Sequence, residues 1–126
     1  MPFARTTYTD TVEGYNLAAE RYRDWWAPVI APAAVTLLDR LDGHVPADRP
    51  ATLVDIGTGT GTLALAALRR WPRARVIGVD PARRLLEMAG AGAHEAGVGD
   101  RLTTRVGDAG RLPLPDGSAD GAMTTF

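Results

Sequence analysis

The sequence of 126 residues contains no cysteine, and all 14 of its basic residues are arginine. Without cysteine, disulfides, thiolate nucleophiles and cysteine-ligated metals are excluded. No stretch approaches 18 consecutive apolar residues, so no membrane-spanning helix is predicted. The residues that follow Met1 lack the apolar run of a signal peptide. We therefore expect a cytoplasmic protein that makes no membrane contact.

The charge is balanced, with 14 basic against 15 acidic residues and a net charge of −1. The arginines are not clustered, whereas a nucleic-acid-binding protein is expected to carry a basic face. Nucleic acid is therefore not an expected partner. The two histidines, His44 and His94, have no second ligand at a useful spacing, and no metal site is predicted.

The first fifty residues predict helices followed by a linker. Residues 11–26 combine helix formers with aromatics, and Pro28 interrupts them. A second helix is predicted to begin at Pro32 and to stop before Gly43, and three-residue steps place its apolar residues along one side: Val35, Leu38 and Leu41. Residues 44–50 are polar and rich in turn formers, which is typical of a connection.

After Pro50 the pattern changes to strands that alternate with helices. Short apolar runs predict strands over 51–56, 75–80, 101–106 and 119–125. Helices are predicted over 62–70 and 82–96, the latter burying Leu85, Met88, Ala89 and Ala93 and ending before Gly97. This alternation predicts an α/β fold with a doubly wound, mostly parallel sheet. We therefore divide the chain into an N-terminal helical cap and linker (1–50) and a sheet-forming part (51–126).

A glycine-rich turn, Gly57-Thr58-Gly59-Thr60-Gly61, joins the first strand to its helix. Glycines permit left-handed dihedral angles and let a ligand lie directly on the main chain. The helix that follows offers unpaired N–H groups at its start. A dinucleotide-binding turn reads G-x-G-x-x-G, but here the third glycine comes one residue earlier, and no lysine is present for a Walker-type loop.

Two acidic residues follow the next two strands. Asp80 ends the second strand, where a carboxylate can bind both ribose hydroxyls of a nucleoside. The alternative is that Asp80 and Pro81 start the next helix as a cap. Asp108 leaves the third strand, where it can accept a hydrogen bond from an adenine amino group or close its own turn.

Three segments in order resemble class I S-adenosylmethionine-dependent methyltransferases, in particular the small-molecule branch that includes ubiquinone and menaquinone methyltransferases. Residues 53–61 (LVDIGTGTG) resemble the first motif of this family, residues 76–80 (VIGVD) the second, and residues 107–120 the third region. Two positions depart from the family pattern, Ala119 in place of an aromatic residue and Leu114 in place of phenylalanine.

The resemblance implies a Rossmann-like methyltransferase fold with S-adenosyl-L-methionine as the cofactor. Its methionine part would lie on the turn, and Asp55 would support the loop. Asp80, next to Pro81, would hold the ribose, and Asp108 with the Ala109 backbone N–H would contact adenine. The implied cofactor-binding residues are therefore Asp55, Gly57, Thr58, Gly59, Gly61, Asp80, Pro81, Asp108 and Ala109.

The acceptor site is less clearly marked. The resemblance places it between the N-terminal helices and segments that follow the fourth strand. Tyr15 and Tyr22 are candidates for a lid over the cofactor or for a wall of the acceptor site. For Trp25 and Trp26 we favour the alternative that they pin the first helix to the sheet. No general base is nominated.

The resembled family has about seven strands, so we expect this sheet to be incomplete and its last strand to present an open edge. A homo-oligomer or a second chain is a possible partner for that edge. The predicted function is methyl transfer to a small-molecule acceptor, with this chain supplying the cofactor-binding half. The alternatives are a non-catalytic cofactor-binding fragment and a nicotinamide-dependent oxidoreductase.

Overall fold

The computed structural model describes residues 6–125. The ends of both predicted segments, residues 1–5 and Phe126, lie outside the described residues. The N-terminal part contains α1 (Tyr8–Leu17), α2 (Ala19–Arg21), a π-helical turn (Tyr22–Trp26) and α3 (Ala27–Leu38). The remainder contains β1 (Ala51–Ile56), α4 (Thr62–Arg70), β2 (Ala74–Asp80), α5 (Arg83–Glu95), a 3₁₀ turn (Gly99–Arg101), β3 (Leu102–Val106) and β4 (Gly121–Thr124).

The N-terminal helices differ from the prediction. The first helix begins earlier, at Tyr8, because Thr7 and Asp10 form a capping box around its first turn. The predicted break at Pro28 is wrong, because Pro28 lies in the first turn of α3, where a proline costs no helical hydrogen bond. The predicted start at Pro32 is also wrong. This residue lies inside α3, which loses one backbone hydrogen bond there.

The buried side of α3 also differs from the prediction. Val35 was expected on that side but is 42% exposed, whereas Ala34 and Leu38 are buried. Their four-residue step follows the 3.6-residue period of the helix more closely than three-residue steps do. After Leu38 the chain continues in turns, closed by N–H groups that bond to carbonyls three residues earlier, as far as Gly43 with φ +83°.

The four strands form one parallel sheet in the order β3-β2-β1-β4. The chain moves outward from β1 through β2 to β3 and then returns to the other side of β1. Such a reversal is the switch point of a doubly wound sheet, and ligands bind there at the carboxyl ends of the strands. The α/β prediction is therefore confirmed. The outer edge of β4 has no strand partner among residues 6–125.

The core packs helices from both parts of the chain on the sheet. Its largest cluster joins α3, α4 and the strands β1, β2 and β4 through Leu38, Leu53, Leu68, Val76 and Met123. The predicted buried side of α5 is confirmed, since Leu85, Met88, Ala89 and Ala93 are all buried. Gly97 follows α5 with φ +74°, as predicted for a glycine that ends a helix. Within the described chain, no helix combines the length and apolarity needed to cross a bilayer.

Candidate functional site

The glycine-rich turn lies at the switch point, between the end of β1 and the start of α4. The backbone φ angles of Gly57, Gly59 and Gly61 are +73°, +55° and +84°, values that residues other than glycine rarely adopt. The N–H groups of Gly57 and Thr58 both donate to the Val79 carbonyl, at 2.8 and 3.0 Å, which ties the turn to β2. The turn is therefore a fixed backbone surface.

The three glycines face different surroundings. A Cβ on Gly61 would lie 3.1 Å from the Ala89 Cβ, so this glycine lets α4 approach α5 closely. A Cβ on Gly59 would lie 3.6 Å from the Tyr22 ring. Gly57 is exposed, and a Cβ there would meet no described atom within 4 Å. The bare backbone at Gly57 is thus open to a ligand.

Asp55 lies beneath this turn. Its Oδ2 accepts a 2.7 Å hydrogen bond from the Thr58 hydroxyl, and the residue is 1% exposed. Thr58 fits there because Gly78 has no side chain, since a Cβ on Gly78 would lie 2.8 Å from the Thr58 methyl carbon. Burial raises the pKa of Asp55 to about 6, with the Thr58 bond opposing and the Asp80 charge adding to the rise. The Asp55 Oδ1 is buried without a hydrogen-bond partner among the described residues.

Asp80 connects the ends of β1 and β2. Its Oδ2 accepts from the Gly59 N–H and its Oδ1 from the Ala82 N–H, both at 2.9 Å. Burial raises the pKa of this carboxyl, and the two backbone hydrogen bonds lower it. Each oxygen retains acceptor capacity, because a carboxylate offers about four lone-pair sites. Asp55 and Asp80 are therefore two buried carboxyl groups beside the turn.

Asp80 does not cap α5, which corrects the helix-cap alternative for Asp80 and Pro81. The helix begins after Ala82, which provides no side-chain cap. The Arg84 N–H in its first turn donates instead to the Asn16 Oδ1 of α1, at 2.9 Å. A residue of the N-terminal helices therefore caps a helix of the sheet-forming part.

Asp108 borders a groove of about 230 Å³ that Pro81 and Gly107 also line. Its Oδ1 accepts from the N–H groups of Gly110 and Arg111 at 2.7 and 3.1 Å, so this oxygen closes the turn. The predicted neighbour Ala109 does not line this groove; it lines a separate cavity of about 450 Å³ with Val54. The structure thus brings Pro81 and Asp108 together and places Ala109 elsewhere.

Tyr22 covers the turn from the N-terminal side. It is half-buried beside Gly59, and its ring meets that of Tyr15 edge-on, with centroids 6.2 Å apart. Burial, with smaller contributions from Tyr15 and Asp80, raises the pKa of Tyr22. The expectation that Trp25 and Trp26 pin the helix to the sheet is wrong, because they are 74% and 62% exposed. Tyr15, Tyr22 and Trp26 instead line a groove of about 630 Å³.

Four residues of α1 at or near the site were not predicted. Tyr8, Thr9 and Val12 line the groove beside Asp108, and Asn16 caps α5. Partial desolvation and the charges of Asp108 and Asp80 raise the pKa of Tyr8. The capping box at Thr7 is a sequence signal that would have started the helix at Tyr8. No local signal marks Asn16, whose partner lies 68 residues away.

The chain is similar to known methyltransferases. A family model for a methyltransferase domain matches residues 53–126. The chain is 39% identical over 84 residues to a malonyl-acyl-carrier-protein O-methyltransferase of Xylella fastidiosa, covering 67% of this chain and 27% of that protein. It is also 39% identical over 77 residues to a demethylmenaquinone methyltransferase of Thermus thermophilus, covering 61% of this chain and 34% of that protein.

A solved structure extends this similarity. The geranyl diphosphate C-methyltransferase of Streptomyces coelicolor A3(2), crystallised with Mg²⁺, geranyl diphosphate and S-adenosyl-L-homocysteine, is 27% identical with a TM-score of 0.63. The superposition covers 74% of this chain and 34% of that chain. The chain thus spans between 27% and 34% of the length of these three proteins.

Proposed function

The chain belongs to the class I S-adenosylmethionine-dependent methyltransferases, and we propose that it binds the cofactor at the carboxyl ends of β1, β2 and β3 for methyl transfer to a small-molecule acceptor. The observation that carries the proposal is the bare backbone of Gly57, which lies beside two buried carboxyl groups. Carboxylates favour a ligand that bears positive charge, as the sulfonium and ammonium groups of S-adenosylmethionine do.

Each strand end supplies part of the proposed site. The turn from Gly57 to Gly61 receives the methionine part, with Thr58 held beneath it by Asp55. Asp80 uses its remaining lone pairs for the ribose hydroxyls. Pro81, Tyr8 and Asp108 form the groove proposed for adenine. Tyr15 and Tyr22 close the site from the N-terminal side.

The bound cofactor supplies an activated methyl group, because its sulfur is a positively charged leaving group. The protein's part is alignment and exclusion of water, and positioning alone lowers a barrier by roughly 7–11 kcal/mol. A general base is needed only for an acceptor that must lose a proton, and no residue is assigned that role. In this proposal residues 1–50 form a helical cap and residues 51–126 the cofactor-binding part.

The acceptor is proposed to be a small molecule and not a nucleic acid. Relatives named for demethylmenaquinone and geranyl diphosphate support this class. The net charge of −1 also gives a nucleic acid no electrostatic attraction.

Two further properties remain predictions. One is a partner strand on the open edge of β4, from a second copy or another chain, and the other is a cytoplasmic location. Sedimentation and cell fractionation test them.

Calorimetric titration tests cofactor binding. We expect S-adenosyl-L-methionine and S-adenosyl-L-homocysteine to bind and NAD not to bind. Asp80→Ala should weaken binding by about ten- to a hundredfold, the effect of losing hydrogen bonds to a buried carboxylate. Asp100→Ala is the matched control, because Asp100 is exposed in the turn before β3 and lies outside the site.

Asp80→Asn separates binding from folding. This variant keeps one acceptor oxygen for the backbone of Gly59 or Ala82. A folded Asp80→Asn protein with unchanged cofactor affinity would show that Asp80 only holds the turn. NAD binding without S-adenosylmethionine binding would overturn the proposal in favour of an oxidoreductase. Cofactor binding without methyl transfer by the whole protein would leave the non-catalytic alternative.

A further inference from the structure

The groove between the N-terminal helices is mainly apolar and lies next to the glycine-rich turn. It has a volume of about 630 Å³ and is lined by Tyr15, Ala18, Tyr22, Trp26 and Ile30, among others. The Tyr22 ring faces this groove and also lies 3.6 Å from where a Gly59 Cβ would be. One aromatic ring thus separates the groove from the proposed cofactor surface.

Arg21 is the only charged side chain among the described residues that line the groove. Two acidic residues close to it in sequence are already paired. Asp24 accepts from the Arg23 Nε at 2.7 Å, and Glu20 accepts from the Arg84 guanidinium at 2.7 Å. Arg21 itself makes no ion pair within residues 6–125. Its charge therefore has no counterion from the described protein.

We propose that this groove binds the methyl acceptor and selects a small apolar molecule that carries one anionic oxygen group, a carboxylate or a phosphate, which Arg21 binds. The assignment of the occupant as the acceptor rests on the proposed function. A guanidinium presents a planar fork of donors that matches either anion with two parallel hydrogen bonds. Arg21 is exposed, so its guanidinium meets the anionic end from the solvent side of the groove while the apolar walls pack against the body of the molecule.

The geometry orients such an acceptor. Its anionic end binds Arg21 and its apolar body packs along Tyr15, Trp26 and Ile30. Tyr22 lies between the groove and Gly59, so the reacting end of the acceptor must pass the Tyr22 ring to reach the cofactor on the turn. Arg21 acts in specificity, through contact with the acceptor.

Three probes with the same phenylpropyl body test the proposal by ligand-observed NMR at about pH 7.5: 4-phenylbutanoate, 3-phenylpropyl phosphate and the neutral 4-phenylbutanamide. At least one anion should bind the full chain about tenfold more tightly than the amide, the effect of one charge-assisted pairing. Arg21→Gln should abolish this preference. Arg23→Gln, which removes an equal charge that Asp24 already pairs and that does not line the groove, should retain it.

The tighter anion identifies the acceptor as a carboxylate or a phosphate. Equal affinity for all three probes would overturn the proposal and mark Arg21 as a solvated surface residue. No detectable binding of any probe, or an equal loss of preference in Arg23→Gln, would also overturn it. S-adenosyl-L-homocysteine binding is measured in parallel. Failure of that ligand to bind the unchanged protein defeats the proposed function, whatever the probes show about the anion preference.

Discussion

At the residue scale, Gly57 separates the backbone requirement of the turn from its binding role. Gly57 and Gly97 have nearly the same dihedral, φ +73° and +74°, and a Cβ on either would meet no described atom within 4 Å. Gly97, however, lies past the end of α5 and outside the site. The pair thus has matched backbone strain and unmatched surroundings.

We expect Gly57→Ala and Gly97→Ala to destabilise the fold equally, by about 1–2 kcal/mol, because an alanine at positive φ is strained. Only Gly57→Ala should also weaken S-adenosyl-L-homocysteine binding, because its methyl group occupies the surface on which the ligand lies. Urea unfolding and calorimetry measure the two effects. Unchanged affinity in Gly57→Ala would show that the cofactor does not approach this backbone.

Asp55 makes the stability depend on pH. Burial raises its pKa from 3.8 to about 6. Because the folded-state pKa lies above the unfolded one, the native protein binds the proton more tightly. The stabilisation is complete below about pH 4 and is lost as the pH rises through about 6. A measurement from about pH 5 to about pH 7.5 starts one pH unit below the folded-state pKa and ends above it. Over this range the free energy of unfolding should fall by about 1.4 kcal/mol, because one unit corresponds to that energy.

Asp55→Asn removes this titration and keeps an oxygen for the Thr58 hydroxyl. The free energy of unfolding of the unchanged protein, minus that of Asp55→Asn, should fall by about 1.4 kcal/mol over this pH range. A constant difference for Asp55→Asn would mean that the carboxyl titrates at its ordinary pKa.

At the element scale, α5 depends on α1 for its N-terminal cap. The Asn16 Oδ1 receives the Arg84 N–H at 2.9 Å, and the Glu20–Arg84 ion pair lies beside this contact. Asn16→Ala should cost about 1 kcal/mol, the usual effect of losing a cap, whereas the exposed ion pair contributes little.

Asn16→Asp provides the matched control, since it retains an oxygen and adds a charge that a helix N-terminus favours. Urea unfolding should place it at or above the unchanged protein. Hydrogen exchange at the Arg84 amide should accelerate in Asn16→Ala and not in Asn16→Asp. Equal exchange in both variants would show that α5 does not need this cap.

The sequence predicts the strands and α4 and α5 well because their signals are local. Gly61 and Pro72 bracket α4, and the buried side of α5 repeats with the helix period. The N-terminal helices are predicted poorly because tertiary contacts decide them. Pro32 is tolerated inside α3, and Trp26 is exposed along a groove that no local pattern indicates.

The site divides in the same way. The position of Asp80 beside the turn could be predicted, because Asp80 ends β2 and the glycines follow the end of β1. Parallel neighbouring strands of similar length bring these two ends to the same edge of the sheet. That its two oxygens bond Gly59 and Ala82 depends on how β2 meets β1. The separation of Ala109 from the groove beside Asp108 depends on the Asp108 turn, which the sequence left open.

At the scale of the whole molecule, the proposed cofactor site joins both parts of the chain. Tyr22 lies against Gly59, and Tyr8 lines the same groove as Pro81 and Asp108. A ligand held between these groups must order the N-terminal helices and the turn together, even though the methyltransferase family model begins only at residue 53. Cofactor binding should therefore also slow hydrogen exchange in the N-terminal helices, which precede the residues that the family model matches.

Hydrogen exchange with mass spectrometry measures this coupling. Saturating S-adenosyl-L-homocysteine should slow exchange in peptides that cover residues 8–22 as well as in those that cover the turn at residues 57–61. At a hundred times the dissociation constant, the ligand should add about 2.7 kcal/mol to the free energy of unfolding. The same concentration of NAD is the control and should change neither region. Protection confined to residues 51–126 would show that the N-terminal helices are not a wall of the cofactor site, because a segment that contacts the bound ligand should exchange more slowly.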